Sequence, residues 1–92
     1  MIRGFRDRDS KQVWDRDPVA RYRTFEKVAR RKLTMVQNAR TILDLRSPPG
    51  NQLESLKGDR RGQYSIRVNR QYRICFVWRQ DGAHDVEMTD YR

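Results

Sequence analysis

Leu56-Lys57-Gly58-Asp59-Arg60-Arg61-Gly62-Gln63-Tyr64-Ser65-Ile66-Arg67-Val68-Asn69, followed after two residues by Tyr72-Arg73-Ile74-Cys75-Phe76-Val77-Trp78, decides the fold of this chain. Both runs alternate with period two, the repeat of a β-strand that buries one face. Tyr64, Ile66 and Val68 fall on one side together with Tyr72, Ile74, Phe76 and Trp78; Ser65, Arg67, Arg73 and Cys75 fall on the other. Between Lys57 and Arg79 there are seven cations and a single anion. The expected sheet therefore has an apolar back and a cationic front suited to a polyanion.

Downstream, Asp85-Val86-Glu87-Met88-Thr89 reads as a further strand, and residues 81–90 hold four acids and no lysine or arginine. This acidic strand is expected beside the cationic ones, as ion-pair partner or proton acceptor. If Phe76, Trp78, Val86 and Met88 share the core face, facing residues must have equal parity. A two-residue loop at Asp81-Gly82 pairs Phe76 with Glu87 and breaks that rule. A three-residue loop, Gln80-Asp81-Gly82 with Gly82 left-handed, pairs Phe76 with Val86 and keeps it. The second register is expected, and it sets His84 opposite Trp78.

Upstream, Leu53 to Lys57 reads as another strand, preceded by the loop Ser47-Pro48-Pro49-Gly50-Asn51. The N-terminal half has helical periodicity. Asp9-Ser10 supplies capping residues for a short helix through Arg16, stopped before Asp17-Pro18. Phe25, Val28, Ala29, the stem of Lys32, Met35, Val36 and Ala39 form the buried stripe of a longer amphipathic helix, capped by Thr24 or starting near Pro18. Residues 41–45 give another helical turn or two. At the start of the chain, Ile2 and Gly4 alternate with Arg3 and Phe5, a weak sign of an edge strand. The expected architecture is α+β: two N-terminal helices packed on a small antiparallel sheet, one domain over residues 1–92.

The net charge of +9 on 92 residues points to phosphate backbones or, with less support, to an anionic membrane surface. One cysteine excludes an intrachain disulfide and cannot by itself make a zinc site. No apolar stretch approaches membrane-spanning length and no signal-like segment opens the chain, so a soluble cytoplasmic protein is expected.

Arg73 and Arg67 lead the candidates for chemistry, because a planar guanidinium fork suits phosphate better than an ammonium does. As mid-strand residues off the core face, they also fit as solvated cations of an open sheet. Lys57, Arg60 and Arg61 stand in a glycine-flanked turn able to grip successive phosphates, and Arg70 adds a cation between the strands; the phosphate-loop order Gly-x-x-x-x-Gly-Lys-Ser/Thr is absent. His84 is read as a turn-flanking surface residue. Cys75 has no neighbouring base to make it a nucleophile and is read as a filler. If the last strand continues, Tyr91 shares the front face with Arg73, where it can stack on a base or donate a proton.

The motifs Pro-Pro-Gly-Asn-x-Leu-Glu-x-Leu-Lys-Gly-Asp-Arg-x-Gly-x-Tyr-Ser-Ile-Arg-Val-Asn, Tyr-Arg-Ile-x-Phe-x-Trp, Asp-Val-Glu and Asp-Tyr span residues 48–91 in that order. In this the chain resembles the HigB branch of the RelE toxin superfamily, the plasmid-maintenance killer proteins. The resemblance implies a compact α+β ribonuclease fold. It also implies a toxin that cleaves mRNA on the ribosome, is neutralised by a helix-turn-helix antitoxin of HigA type, and meets operator DNA only through that antitoxin. Lys57 and Arg73 match the family's basic active-site residues, and Asp90 and Tyr91 its Asp-Tyr. Where family members commonly have Asp-Tyr-His, this chain has Asp90-Tyr91-Arg92; where some have histidine before Leu-Lys-Gly, it has Glu54. Neither position offers an imidazole.

The expected chemistry is cleavage without metal or other cofactor. Arg73 and Lys57 neutralise charge, Glu54 or Asp90 acts as base, and Tyr91 donates the proton, with Arg92 replacing the histidine. A module of the same fold that binds RNA or antitoxin without cutting is the alternative, and positions 54 and 92 separate the two.

Overall fold

The computed structural model of the chain describes residues 1–90. Its architecture is α+β, as expected: helices α1 (Arg8–Trp14) and α2 (Glu26–Asn38) precede strands β1 (Glu54–Ser55), β2 (Gln63–Arg67), β3 (Tyr72–Arg79) and β4 (Gly82–Asp90). The strands form one antiparallel sheet in the order β1-β2-β3-β4. Ile66, Ile74, Phe76, Val86 and Met88 on the back of the sheet share one apolar cluster with Ala29, Leu33 and Val36 of α2. Ile66, Ile74, Phe76 and Leu33 are completely buried, each contributing about 1.5–3 kcal/mol by leaving water.

Several boundaries differ from the periodicity, each for a local reason. α1 is capped by Asp7, not by the Asp9-Ser10 pair: the Asp7 carboxylate accepts from Ser10 N–H at 3.1 Å. Ser10 is instead completely buried, its hydroxyl accepting from Met88 N–H at 2.8 Å and tying α1 to β4. The longer helix begins as a 3₁₀ segment, Ala20–Phe25, before α2 takes over, and Thr24 does not cap it. Packing sets that break: Phe25, at φ −133°, places its ring 5.7 Å from Tyr22 and 5.1 Å from Tyr72. Leu33, outside the expected stripe, is the residue of α2 that packs deepest along with Ala29 and Val36. The turn after α2 is a 3₁₀ segment, Ile42–Arg46, closed by a reciprocal Thr41–Asp44 capping box. The strand expected from Leu53 to Lys57 shrinks to Glu54–Ser55.

The β3–β4 hairpin departs from expectation at its turn and agrees with it farther on. Arg79 pairs with Gly82, leaving the two-residue loop Gln80-Asp81; Trp78 faces Ala83 and Val77 faces His84. From Cys75 onward the pairing follows the anticipated register, Cys75 with Glu87 and Ile74 with Met88. A β-bulge reconciles the halves. Asp85 and Val86 together oppose Phe76, with Asp85 at φ +52°, so the extra residue sits in the strand and not in the loop.

Residues 1–6 run parallel to β4 through bridges Ile2–Ala83 and Phe5–Val86. Ile2 and Phe5 both pack against the core, three residues apart, in place of the expected alternation. Gly82 makes this approach possible: it stands at φ +132°, and a side chain there would put Cβ 2.0 Å from the Met1 carbonyl oxygen.

Candidate active site

Strand pairing sets two rows of side chains across the front of the sheet. Glu54, Ser65, Cys75 and Glu87 form one row; Arg67, Arg73 and Thr89 form the next. The centre of this face is not the solvated surface that alternation suggested. Ser65 and Cys75 are completely buried and Arg73 is only 7% exposed. Chain geometry before β1 is the cause. The 3₁₀ turn Pro49–Asn51 ends at Gln52, whose left-handed backbone (φ 46°, ψ 55°) turns its carbonyl toward the guanidinium. Arg73 Nη2 donates to that carbonyl, Nε donates to Ser65 Oγ at 2.7 Å, and Nη1 lies 3.9 Å from Glu54 Oε1. A buried guanidinium is tolerated only when its donors are met in this way.

The turn that supplies the Gln52 carbonyl is itself anchored. Asn51 is completely buried. Its Oδ1 accepts from Lys32 Nζ at 2.5 Å, and its Nδ2 donates to the carbonyls of Leu45 (3.2 Å) and Ser47 (3.3 Å). Lys32 lies within α2, where burial, and secondarily the charges of Arg31 and Arg67, hold its ammonium below the ordinary lysine pKa. Polar contacts thus link helix α2 to Arg73 by way of Lys32, Asn51 and the Gln52 backbone.

Around this centre the other expected residues occupy different settings. Arg67 is half-buried and directly opposite Arg73. Lys57, Arg61 and Arg70 are exposed. Arg60 donates from Nη1 to Glu87 Oε1 at 2.6 Å and to Gln63 Oε1 at 3.1 Å, and Arg6 reaches within 3.9 Å of the same Glu87 oxygen. The acidic strand does therefore supply an ion-pair partner to the cationic turn. Asp90 pairs with Tyr72, which puts it on the opposite side of the sheet from Arg73, where Gln71 Nε2 donates to its carboxylate at 2.8 Å. His84 stands 2.7 Å from the exposed Asp81 carboxylate, which that contact holds below its ordinary pKa. Tyr91 and Arg92 lie outside the described residues. Among the described residues there is no cluster of three or more histidine, cysteine or acidic side chains of the kind that holds a metal ion.

Alternation put Ser65 on this face without giving it a role, expected the acidic strand as ion-pair partner without singling out Glu87, and missed Gln52, Asn51 and Lys32 as parts of this site. Glu87 was recoverable, since it shares parity with Cys75. Thr89, facing Arg73, was also overlooked: its hydroxyl is buried without a hydrogen-bond partner among the described residues. Arg73 gives the front a fixed cation, with Arg67 opposite it and the Glu54 carboxylate, 54% exposed, at the edge. That arrangement can bind a phosphodiester and accept a proton beside it.

A helix-backed, four-stranded antiparallel sheet of this topology is the fold of the RelE-like toxins. A solved toxin–antitoxin structure, the YoeB-YefM complex from Staphylococcus aureus, superposes with a TM-score of 0.58 over 100% of this chain and 98% of the matched chain, at 12% identity. Residues 3–91 match the family described as the RelE-like toxin of type II toxin-antitoxin system HigB. Toxin HigB-1 of Vibrio cholerae is 41% identical over 80 residues, covering 85% of this chain and 84% of that protein. An uncharacterised protein of Haemophilus influenzae is 43% identical over 65 residues, covering 71% and 64% respectively. The chain belongs to the HigB-like family of type II toxins, whose members are endoribonucleases.

Proposed function

We propose that this toxin cleaves mRNA on the translating ribosome without a metal ion, and that a HigA-like helix-turn-helix antitoxin restrains it. The observation that carries the reading is the direct opposition of Arg67 and Arg73 with Glu54 at 3.9 Å from Arg73. Like charges paired across strands destabilise a sheet, so a doubled cation there fits a site made for an anion. In the proposed reaction the 2′-hydroxyl attacks the adjacent phosphorus and Glu54 takes its proton. Arg73 and Arg67 balance the added negative charge of the phosphorane, and the 5′-oxygen departs with a proton. Asp90, on the other face, is the weaker candidate for base. Tyr91 is the proton donor, and Arg92, standing where the family commonly has histidine, is a phosphate-neutralising cation unable to relay protons. Lys57, Arg60, Arg61 and Arg70 guide the RNA backbone. Ribosomal positioning supplies orientation that so spare a set of groups lacks. The working compartment is then the cytoplasm; among the described residues no helix is long and apolar enough to cross a membrane.

Primer extension on an mRNA in a translation extract tests this. Discrete cuts are expected with the wild-type chain, a loss of about 10²–10³ in rate with Glu54→Gln or Arg73→Ala, and no cuts on ribosome-free mRNA. Translation arrest and RNA binding without cuts would replace the nuclease by a non-catalytic binding module.

A further inference from the structure

From Lys57 to Gly62 every residue is exposed except Arg60, which is half-buried. Backbone bonds hold this turn internally, Arg60 N–H donating to the Lys57 carbonyl at 3.3 Å and Arg61 N–H to that of Gly58 at 3.1 Å. A short exposed turn of this kind keeps considerable freedom unless a side chain fastens its tip. Arg60 fastens it. Nη1 donates to Gln63 Oε1 on β2 and to Glu87 Oε1 on β4, so the guanidinium lies above the intervening β3. Cys75, the front-face residue of β3 that pairs with Glu87, is completely buried. The Arg60–Glu87 contact is 2.6 Å long, between side chains 31% and 14% exposed. It is a charge-assisted bond that water screens less than it does an open surface pair. The same Glu87 oxygen is approached at 3.9 Å by Arg6, from the segment on the other edge of β4.

We propose that Glu87 is a positioning residue for cleavage: by holding Arg60 it docks the turn across the front of the sheet and so fixes where Lys57 and Arg61 meet the RNA backbone. This rests on the cleavage reading above and adds how the exposed cations are aimed. Arg60 takes part in guiding the RNA by anchoring the turn, and Glu87 touches no reacting atom. Removing the Glu87 carboxylate has two consequences of opposite sign. The net charge rises by one, which strengthens attraction to a polyanion. The turn is also released, and bound RNA must then restore the placement of its cations at an entropic cost. Two cations already neutralise Glu87, so its own repulsion of RNA is small and the second consequence is the larger.

The test is steady-state cleavage of a defined mRNA bound to purified ribosomes by the full-length chain, with melting curves to confirm that each variant is folded. Glu87→Met is expected to raise KM by about three- to tenfold and to leave kcat unchanged. Glu87→Gln still accepts from Arg60 and should recover part of that loss, whereas charge alone would make both variants lower KM equally. Arg60→Met should raise KM as well, and the double variant with Glu87→Met should be no worse than Arg60→Met. In Glu87→Met the Arg60 and Arg61 amides should exchange faster with deuterium, a readout that needs no cleavage. A lowered or unchanged KM in folded Glu87→Met overturns the positioning role. So does additivity with Arg60→Met, or a fall in kcat alone. Should Glu87→Met fail to fold, Glu87→Gln decides by the same sign: a raised KM supports the role and a lowered one overturns it. A wild-type chain that cuts nothing overturns the cleavage reading instead, and amide exchange then still decides whether Glu87 docks the turn.

Discussion

Arg73 and Lys57 carry the same charge and are both assigned to the proposed RNA substrate, yet the fold treats them oppositely. Arg73 is buried, with donors committed to Ser65 and Gln52 and its outer nitrogen beside Glu54. Lys57 is exposed at the entrance of a turn, with no ion-pair partner among the described residues. The first is held where charge would develop and loses little freedom on binding; the second must surrender rotamer entropy to hold a phosphate. A fixed cation favours a transition state, and a mobile one favours encounter.

The largest expected effect is at the fixed cation. Arg73→Ala should lower cleavage by about 10²–10³ and also destabilise the fold by about 1–3 kcal/mol, because Ser65 and the Gln52 carbonyl lose their donor. The sequence, placing Arg73 off the core, would have given only the first effect. Arg73→Lys should recover part of the stability and little of the rate, since an ammonium cannot span both acceptors. Lys57→Ala should cost about tenfold or less, through RNA affinity, with an unchanged melting temperature. Equal loss of rate for both alanine variants at equal stability would erase the distinction.

A smaller effect is expected one contact removed from Arg73. Asn51→Ala leaves the Leu45 and Ser47 carbonyls and the Lys32 ammonium without their partner, a cost of about 1–3 kcal/mol, and loosens the turn that presents Gln52. Asn51→Asp separates the two consequences. In the wild-type chain the folded state holds the Lys32 proton less tightly than the unfolded state, so stability rises with pH from the lowered folded pKa up to the unfolded value near 10.5. A carboxylate beside Lys32 should abolish that alkaline rise, which melting curves between pH 7 and 10 would show. Its persistence in Asn51→Asp would mean that Lys32 is not held by residue 51.

The smallest effect lies on the back of the sheet. Burial raises the Tyr22 hydroxyl to a pKa of about 12, with Arg21 opposing. A raised folded pKa protects stability below pH 10 and loses it between pH 10 and about 12. Tyr22→Phe should flatten that loss without changing cleavage at neutral pH; a changed cleavage rate would show that the helix-side aromatics influence the front.

Much of this was legible in residues 53–90, because strand alternation is a local property and the apolar back needed only parity. Ile66, Ile74, Phe76, Val86 and Met88 follow from it directly. The burial of Arg73 does not, since it depends on a left-handed Gln52 folding back over a sheet edge and on Asn51 reaching a helix 19 residues earlier. Nor did parity locate the extra residue of the last hairpin. A three-residue loop and a bulged strand satisfy the same constraint, and only the Met1–Gly82 approach distinguishes them.

That bulge has a counterpart. Ala83 to Val86 spans three residues on β4, and its parallel neighbour spans three from Ile2 to Phe5. Asp85 is thus surplus against β3 but not against the N-terminal segment, which takes the same number of steps between its two bridges. Deleting Asp85 alone would regularise the pairing with β3 and leave Glu87 opposite Cys75, while putting Val86 out of step with Phe5 on the N-terminal segment. The two ends of the chain are thus matched like the teeth of paired gears, and a change of length at one is neutral only if the other is cut to suit.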